Sequence, residues 1–557
     1  MNPSKTIRAY TYISSRAACD PAKTIYLCAP EQDAVSEERL ERFAVESGWQ
    51  QIAEENEAIL VLPVAEQGWA DMPRSLFFDY YNETKNSFHS RSGSAIWGRS
   101  GTLWCWDTIL YMVGYREGAA FAGEVLAAYP NFAAACALIG GLPADFSAGE
   151  QPSNHWMVRN VSADYAVKKK EIPVCLWLFD AEKDAAQKTM DYFSAANRAG
   201  DARRERLGSV DTIVRANEEN SAWQVRLVGG RFADEKQRSS FIFDRLIARR
   251  VRWKNGPDGT LSFLDAKAEF YRDPRYLRHS VETGGVSYDY FVHLPGGKTP
   301  AQVKGLPVVF TVHGRGEPAW MFTKKNGWDT LSDETGAFVL VSPDSPGNIW
   351  FIRRDGEIFA RIIDQLEEKY GIDRSRVYLT GFSNGAVMVR ETALAYPELF
   401  AAASPSNGPW FDTTSMQQID ASKAPTDLTD EAYATIRRFE QEGWEMPCAF
   451  FYGDNDPGVR AEENRYLSVY CKANGCSAEP AETLTGENFF TAENGFREGD
   501  RFQTAVYRNR DGQARVCVTV MKNMPHGAIA EESRFAWHFL KRFRRPEGSR
   551  SVEQAEG

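Results

Sequence analysis

Apolar residues fall along this chain in short, closed runs separated by stretches with helical spacing. Leu306 to Val312, Cys448 to Tyr452 and Ala514 to Met521 are nearly continuous blocks of valine, alanine, cysteine and aromatic residues. A strand covered on both faces of a sheet reads this way, whereas a strand with one wet face alternates. Between such runs, Glu431 to Glu442 and the segment around Glu531 to Phe543 read as helices. Strands alternating with helices predict an α/β arrangement around a mostly parallel sheet. The most informative run is Val377 to Met388. A short apolar strand passes through Gly381-Phe382-Ser383-Asn384-Gly385 into residues that keep helical spacing to Tyr396, ahead of Pro397. Strand, tight turn and helix follow one another there, with a serine at the apex and glycines where a side chain would collide.

The first half of the chain carries the same plan. Thr24 to Cys28 and Ala58 to Leu62 read as strands around a helix from Ser36 to Glu54. Ile109 to Tyr115 then leads through Gly114-Tyr115-Arg116-Glu117-Gly118 into a helix ending at Ala128-Tyr129-Pro130, as the later one ends at Ala395-Tyr396-Pro397. Ile172 to Trp177 likewise parallels Met446 to Phe451. Self-similarity at one separation of about 270 residues predicts a duplicated domain. The first copy has Arg116 where the second has Ser383. An arginine cannot act as that nucleophile, and no histidine lies between Lys183 and Arg250 to serve as a base. The first copy is therefore expected to be inactive. Arg116 either pairs with a nearby acid such as Glu117 or Asp180, the simpler reading, or anchors a carboxylate ligand or the neighbouring domain.

A Gly-x-Ser-x-Gly pattern alone is also what an ordinary serine in a glycine-rich turn presents, so the partners decide. A serine hydroxyl needs a histidine to take its proton, and the histidine needs a carboxylate to orient it. Only His526 and His538 follow Ser383. His526 sits in a loop after the run Ala514 to Met521, while His538 lies within the following helix, which selects His526 as the base. The acid belongs at a strand end between the two, where Gly453-Asp454-Asn455-Asp456-Pro457 follows Cys448 to Tyr452. Asp456 is the chosen acid, with Asp454 as a competitor that could instead form the turn. Backbone NH groups of Arg315, in the His313-Gly314-Arg315-Gly316 loop, and of Asn384 are expected to hold the oxyanion.

With these parts in order, residues Val281 to Arg545 resemble the α/β-hydrolases, and within them esterases related to polyhydroxybutyrate depolymerases and to feruloyl or acetyl-xylan esterases. The resemblance rests on Val286 to Pro295, the His313-Gly314 loop, Tyr370 to Tyr378 leading into the elbow, and Ala395 to Ala402 after it. It implies two tandem α/β-hydrolase-like domains, each a mostly parallel sheet flanked by helices. Residues 1–255 would be the degenerate copy, 256–545 the catalytic domain and 546–557 a disordered tail, with the turn-rich Trp253 to Gly259 at the boundary. The implied nucleophile, base and acid are Ser383, His526 and Asp456, acting on small or aromatic acyl esters without cofactor or metal. Trp410 and Phe411, in an insertion where such enzymes place a cap, are candidate pocket walls, as is Trp350; His313 reads first as a structural loop histidine, since it precedes the serine in chain order, and second as a substrate-binding residue. A second insertion, Ala478 to Arg508, carries Phe489, Phe490 and Phe496, and the stretch Ser75 to Trp106 is dense in aromatics that read as core or interface. An acyltransferase or amidase would use the same triad, and a binding or assembly module with a residual triad is the remaining rival.

Composition narrows the partners. At 557 residues the chain calls for two domains. A net charge of −11 leaves no basic excess for nucleic acid or an anionic membrane surface. No run is long and apolar enough to span a bilayer, and no export signal is visible. Nine cysteines without zinc spacing suit a reducing cytoplasm. The expected partner is a small-molecule ester, and a homo-oligomer is compatible with the sequence.

Overall fold

The structure, a computed structural model, describes residues 7–15, 22–84, 95–96, 99–100, 105–153, 168–253, 260–263, 274–411, 427–454, 456, 459–485, 502–522, 524 and 526–555. The chain divides into two compact units, Met1–Ala266 and Lys267–Gly557.

The second unit is built on a ten-stranded sheet. In spatial order its strands are Tyr276–Thr283, Val286–His293, Val339–Pro343, Val308–Val312, Val377–Phe382, Ala402–Ser406, Cys448–Gly453, Ala514–Met521, Phe502–Arg508 and Glu482–Thr485. The six strands from Val339–Pro343 to Ala514–Met521 run parallel, and the pairings outside them are antiparallel. Their unbroken apolar sequences follow from this position, since successive side chains enter cores on opposite faces. Val308, Phe310, Val377 and Leu379 pack on one side with helices Ile358–Tyr370 and Asn384–Ala395. Val309 and Tyr378 pack on the other with Trp537 and Phe539 of helix Ala530–Leu540.

The first unit holds a nine-stranded sheet in the order Ala9–Ile13, Ile59–Pro63, Ala22–Cys28, Cys105–Tyr115, Ala135–Ile139, Cys175–Phe179, Gln224–Gly229, Val210–Ala216 and Arg203–Leu207. This is the order of the second sheet without its first edge strand. Both units are thus mostly parallel sheets flanked by helices, each with a tight turn at the same place. Aromatics of the stretch from Ser75 enter the first core, Phe77 meeting Tyr26 at 4.9 Å and Phe121 at 6.0 Å. Phe88, Trp97 and Trp104 lie outside the described residues.

Three expectations change. The helix foreseen from Ser36 to Glu54 is two, Glu37–Glu46 and Trp49–Glu55, broken where Gly48 turns left-handed at φ 82°. The division between units falls after Ala266 rather than after Asn255, because Thr260–Phe263 pairs with Arg250–Trp253 in a hairpin. Residues 546–555 are ordered rather than a disordered tail: Glu553–Gln554 pairs with Phe543–Arg544, and Val552 is buried. The Arg545 guanidinium, itself buried, donates to the carbonyls of Phe400, Glu445 and Arg550.

Candidate active site

The elbow is made by crowding. Ser383 has φ 56° and ψ −118°, a region that side chains avoid at about 1–3 kcal/mol. A Cβ on Gly385 would lie 2.2 Å from the Val312 carbonyl oxygen and 2.4 Å from that of His313, and one on Gly381 would lie 2.8 Å from the carbonyls of Gly385 and Val312. Glycine alone lets the elbow press against the neighbouring strand and its loop, and the Ser383 NH donates to the Ser406 carbonyl at 3.0 Å to fix the turn. The serine side chain is left partly exposed.

Two loops reach it. His526 Nε2 lies 2.8 Å from Ser383 Oγ, and His526 Nδ1 lies 2.5 Å from Asp456 Oδ2. Asp456 is buried, with its own NH donating to Gly453 O at 3.3 Å, whereas the Asp454 NH is taken by Met521 O at 3.1 Å. Of the two competing carboxylates, Asp456 is the one brought to the histidine. With the carboxylate accepting from Nδ1–H, Nε2 is free of its proton and faces the serine hydroxyl.

Asn407 holds the two loops together and was not foreseen from sequence. Its side-chain amide donates to Gly527 O at 2.7 Å, next to His526, and its Oδ1 accepts from the NH of Gly453, at the end of the acid strand, at 2.7 Å. Its left-handed backbone, φ 47°, suits asparagine better than most residues. The only sequence signal was its place at the end of a strand beside the elbow.

The loop His313–Arg315 lies directly against the elbow through the Gly385 contacts, which supports the proposed oxyanion donors. Arg315 is mostly buried, and burial lowers its guanidinium to about 10, so it stays charged. His313 and Trp350 do not form pocket walls: both are fully buried. The His313 ring accepts from Ser345 N at 3.1 Å and holds Gly314 O at 2.8 Å through Nδ1, and burial pushes it down to about 4, leaving it neutral. Trp350 donates to His313 O at 3.0 Å, and its backbone NH is held by Asn384 Oδ1 at 2.8 Å. These residues lock the loop to the first turn of the elbow helix. Trp410 and Phe411 are partly exposed and pack edge to face at 5.3 Å, with Arg390 bonded to the Trp410 carbonyl. Phe489, Phe490 and Phe496 lie outside the described residues.

The first unit repeats the elbow with other chemistry. Arg116 has φ 51° and ψ −117°, and its NH donates to Ile139 O at 2.7 Å. Gly118 is pressed on the carbonyls of Cys28 and Ala29 as Gly385 is on those of Val312 and His313. By that register Glu31 stands where Arg315 does, and its NH lies 3.4 Å from the Glu117 carboxylate. Neither expected partner pairs with Arg116: Asp180 is bonded to Arg238 at 2.8 Å, and among the described residues Arg116 makes no ion pair. The elbow opens on a cavity of about 830 Å³ lined by Arg116, Arg238, Asp33, Asp180 and Glu235 among others. Among the described residues no cluster of side chains could hold a metal, and no helix is long and apolar enough to cross a membrane.

No family profile matches the chain. Poly(3-hydroxyalkanoate) depolymerase C of Paucimonas lemoignei is 28% identical over 258 residues, which is 42% of this chain and 58% of that protein. Acetylxylan esterase A of Aspergillus awamori is 36% identical over 91 residues, 14% of this chain and 30% of its own. The solved acetyl xylan esterase from Aspergillus awamori aligns with a TM-score of 0.37 at 18% identity, over 47% of this chain and 99% of that one. The chain spans less than two thirds of the length of these curated relatives, 58% of the first and 30% of the second. In its sheet order and serine elbow the second unit has an α/β-hydrolase-like fold, and the chain is similar in sequence to a poly(3-hydroxyalkanoate) depolymerase and to acetylxylan esterases.

Proposed function

We propose that this protein is a serine carboxylic-ester hydrolase working through an acyl-enzyme on Ser383. The observation that carries the reading is the continuous line from Asp456 through His526 to Ser383, at 2.5 Å and 2.8 Å. Ser383 Oγ attacks the ester carbonyl as His526 Nε2 takes its proton, and the Asp456 carboxylate stabilises the imidazolium. The NH groups of Arg315 and Asn384 receive the oxyanion. His526 then gives its proton to the departing alcohol, and water repeats the sequence to free the acid. Partial exposure of Ser383 and His526 leaves room for a substrate from the loop side, with Trp410 and Phe411 as an aromatic wall. The relatives' names, a poly(3-hydroxyalkanoate) depolymerase and acetylxylan esterases, support acetyl, hydroxyalkanoyl or aromatic acyl esters as the substrate class. The first unit takes no part in the chemistry in this reading: it has arginine for serine, and the Glu31 NH, which stands where that of Arg315 does, is directed to the Glu117 carboxylate.

The test is hydrolysis of p-nitrophenyl acetate, p-nitrophenyl butyrate and methyl ferulate by wild type and Ser383→Ala. The expected result is turnover that falls by about 10⁴-fold or more without the serine. Turnover that survives Ser383→Ala would refute the reading.

A further inference from the structure

Behind the elbow lies a buried ion pair that the mechanism above does not use. Lys325 Nζ donates to Glu317 Oε1 at 2.6 Å, with the lysine side chain 7% exposed and the glutamate fully enclosed. Two contacts tie this pair to the chemistry. The second oxygen of Glu317 accepts from the Gly314 NH at 3.4 Å, within the loop that presents Arg315. The Lys325 ammonium stands 4.2 Å from the centre of the Phe382 ring. Phe382 directly precedes Ser383, and its ring packs 4.9 Å from that of His526. A Cβ on Gly314 would lie 3.0 Å from Phe382 and 3.3 Å from the Glu317 carboxylate, so loop, ring and ion pair are in direct contact.

Stability gives little reason to place two charges here. Desolvating both ions costs about what their attraction returns, and well-packed apolar replacements of buried pairs are often neutral or stabilising. A short charged bond does fix geometry, since neither partner can move without leaving an unpaired charge in the core. The unarmed first unit provides an internal comparison. In the register set by Gly118 and Gly385, Tyr115 stands for Phe382 and Asp33 for Glu317. Tyr115 is held through its hydroxyl by Trp49 at 2.8 Å, and among the described residues no lysine or arginine stands over its ring. The ion pair accompanies the elbow that carries the serine.

We infer that Glu317 and Lys325 are positioning residues, a clamp that sets the oxyanion loop and the Phe382–His526 stack relative to Ser383. The inference rests on the esterase reading. The clamp touches no substrate and acts on kcat through the placement of the Arg315 NH and of the base. A displacement on the order of 1 Å at such a site costs about 10²-fold in rate.

The decisive variant is the double substitution Glu317→Leu with Lys325→Met, which removes both charges while keeping apolar volume. kcat and KM for p-nitrophenyl acetate are measured beside Tm, with wild type and Ser383→Ala in parallel. The clamp predicts a folded protein whose kcat falls tenfold or more while KM stays within about twofold. A purely structural pair predicts a folded double variant with wild-type kcat, and that result overturns the inference. Glu317→Gln, nearly the same size, is the second variant: lowered kcat at unchanged KM supports the clamp, and wild-type kcat overturns it even if the double variant does not fold. If the wild type itself shows no turnover that depends on Ser383, the esterase reading fails and the clamp's role fails with it. An active wild type with an unimpaired variant removes the clamp alone.

Discussion

At the scale of single residues, the site depends on which atoms the backbone leaves room for. Asp454 and Asp456 differ by two positions, but only the second reaches His526, at 2.5 Å, while the first has its NH committed to Met521. Asp456→Asn is expected to lower kcat on p-nitrophenyl acetate by about 10²- to 10⁴-fold, whereas Asp454→Ala changes it only a few-fold. Steady-state kinetics of the two variants check this, and greater damage at Asp454 would reverse the assignment. Glu532 is a second case. It is buried behind the site with one carboxylate oxygen unpartnered among the described residues, and burial pushes its carboxyl from an ordinary 4.5 to about 8. In the unfolded chain this group ionises near 4.5, whereas in the folded chain it keeps its proton to about pH 8. Between those values the unfolded chain binds fewer protons, so stability falls as pH rises, by up to about 1.4 kcal/mol per pH unit. Glu532→Gln should flatten that slope in denaturation measured from pH 5 to 8. An unchanged slope would show that Glu532 ionises normally in the fold.

At the scale of elements, the strands and the turn were readable because they leave strong marks. A strand covered on both faces must be apolar throughout, and an elbow squeezed between carbonyls 2.2 Å and 2.4 Å from a would-be Cβ must have glycine. The order of serine, acid and histidine at strand ends followed from the same marks. What sequence could not give was contact across the sheet. Trp350 reads as a pocket wall because aromatics near a site often are, yet it is fully enclosed and braces the loop, as does His313, whose structural reading holds over the substrate-binding one. Asn407, Glu317 and Lys325 were invisible because an isolated polar residue carries no periodicity. Asn407 gives a prediction here. Asn407→Gly keeps the left-handed backbone accessible but removes the bonds to Gly527 O and Gly453 N. Losing them is expected to cost about 1–3 kcal/mol and to lower kcat, read from denaturant unfolding and ester hydrolysis together. Wild-type values in both would mean the two loops hold their places without it.

At the scale of the whole molecule, one sheet order occurs twice with opposite equipment at the elbow. Ser383 lies within hydrogen-bond reach of a base that is itself bonded to an acid, whereas among the described residues Arg116 makes no ion pair and Asp180 is bonded to Arg238. The same backbone strain is kept at both turns, φ 56° and 51°, because the glycine contacts that impose it are kept. The closing residues also matter more than their polarity suggests. Removal of residues 546–557 exposes the Val552 site and frees Arg545, and should lower Tm by several degrees in a thermal melt. A truly loose tail would leave Tm unchanged.

One measurement tests the central claim most directly: labelling of the full chain with a fluorophosphonate, with the adduct located and counted by mass spectrometry. The account predicts one label per chain, on Ser383, that disappears in Ser383→Ala and forms far more slowly in His526→Ala. A chain that takes no label, or takes it elsewhere than Ser383, would contradict it.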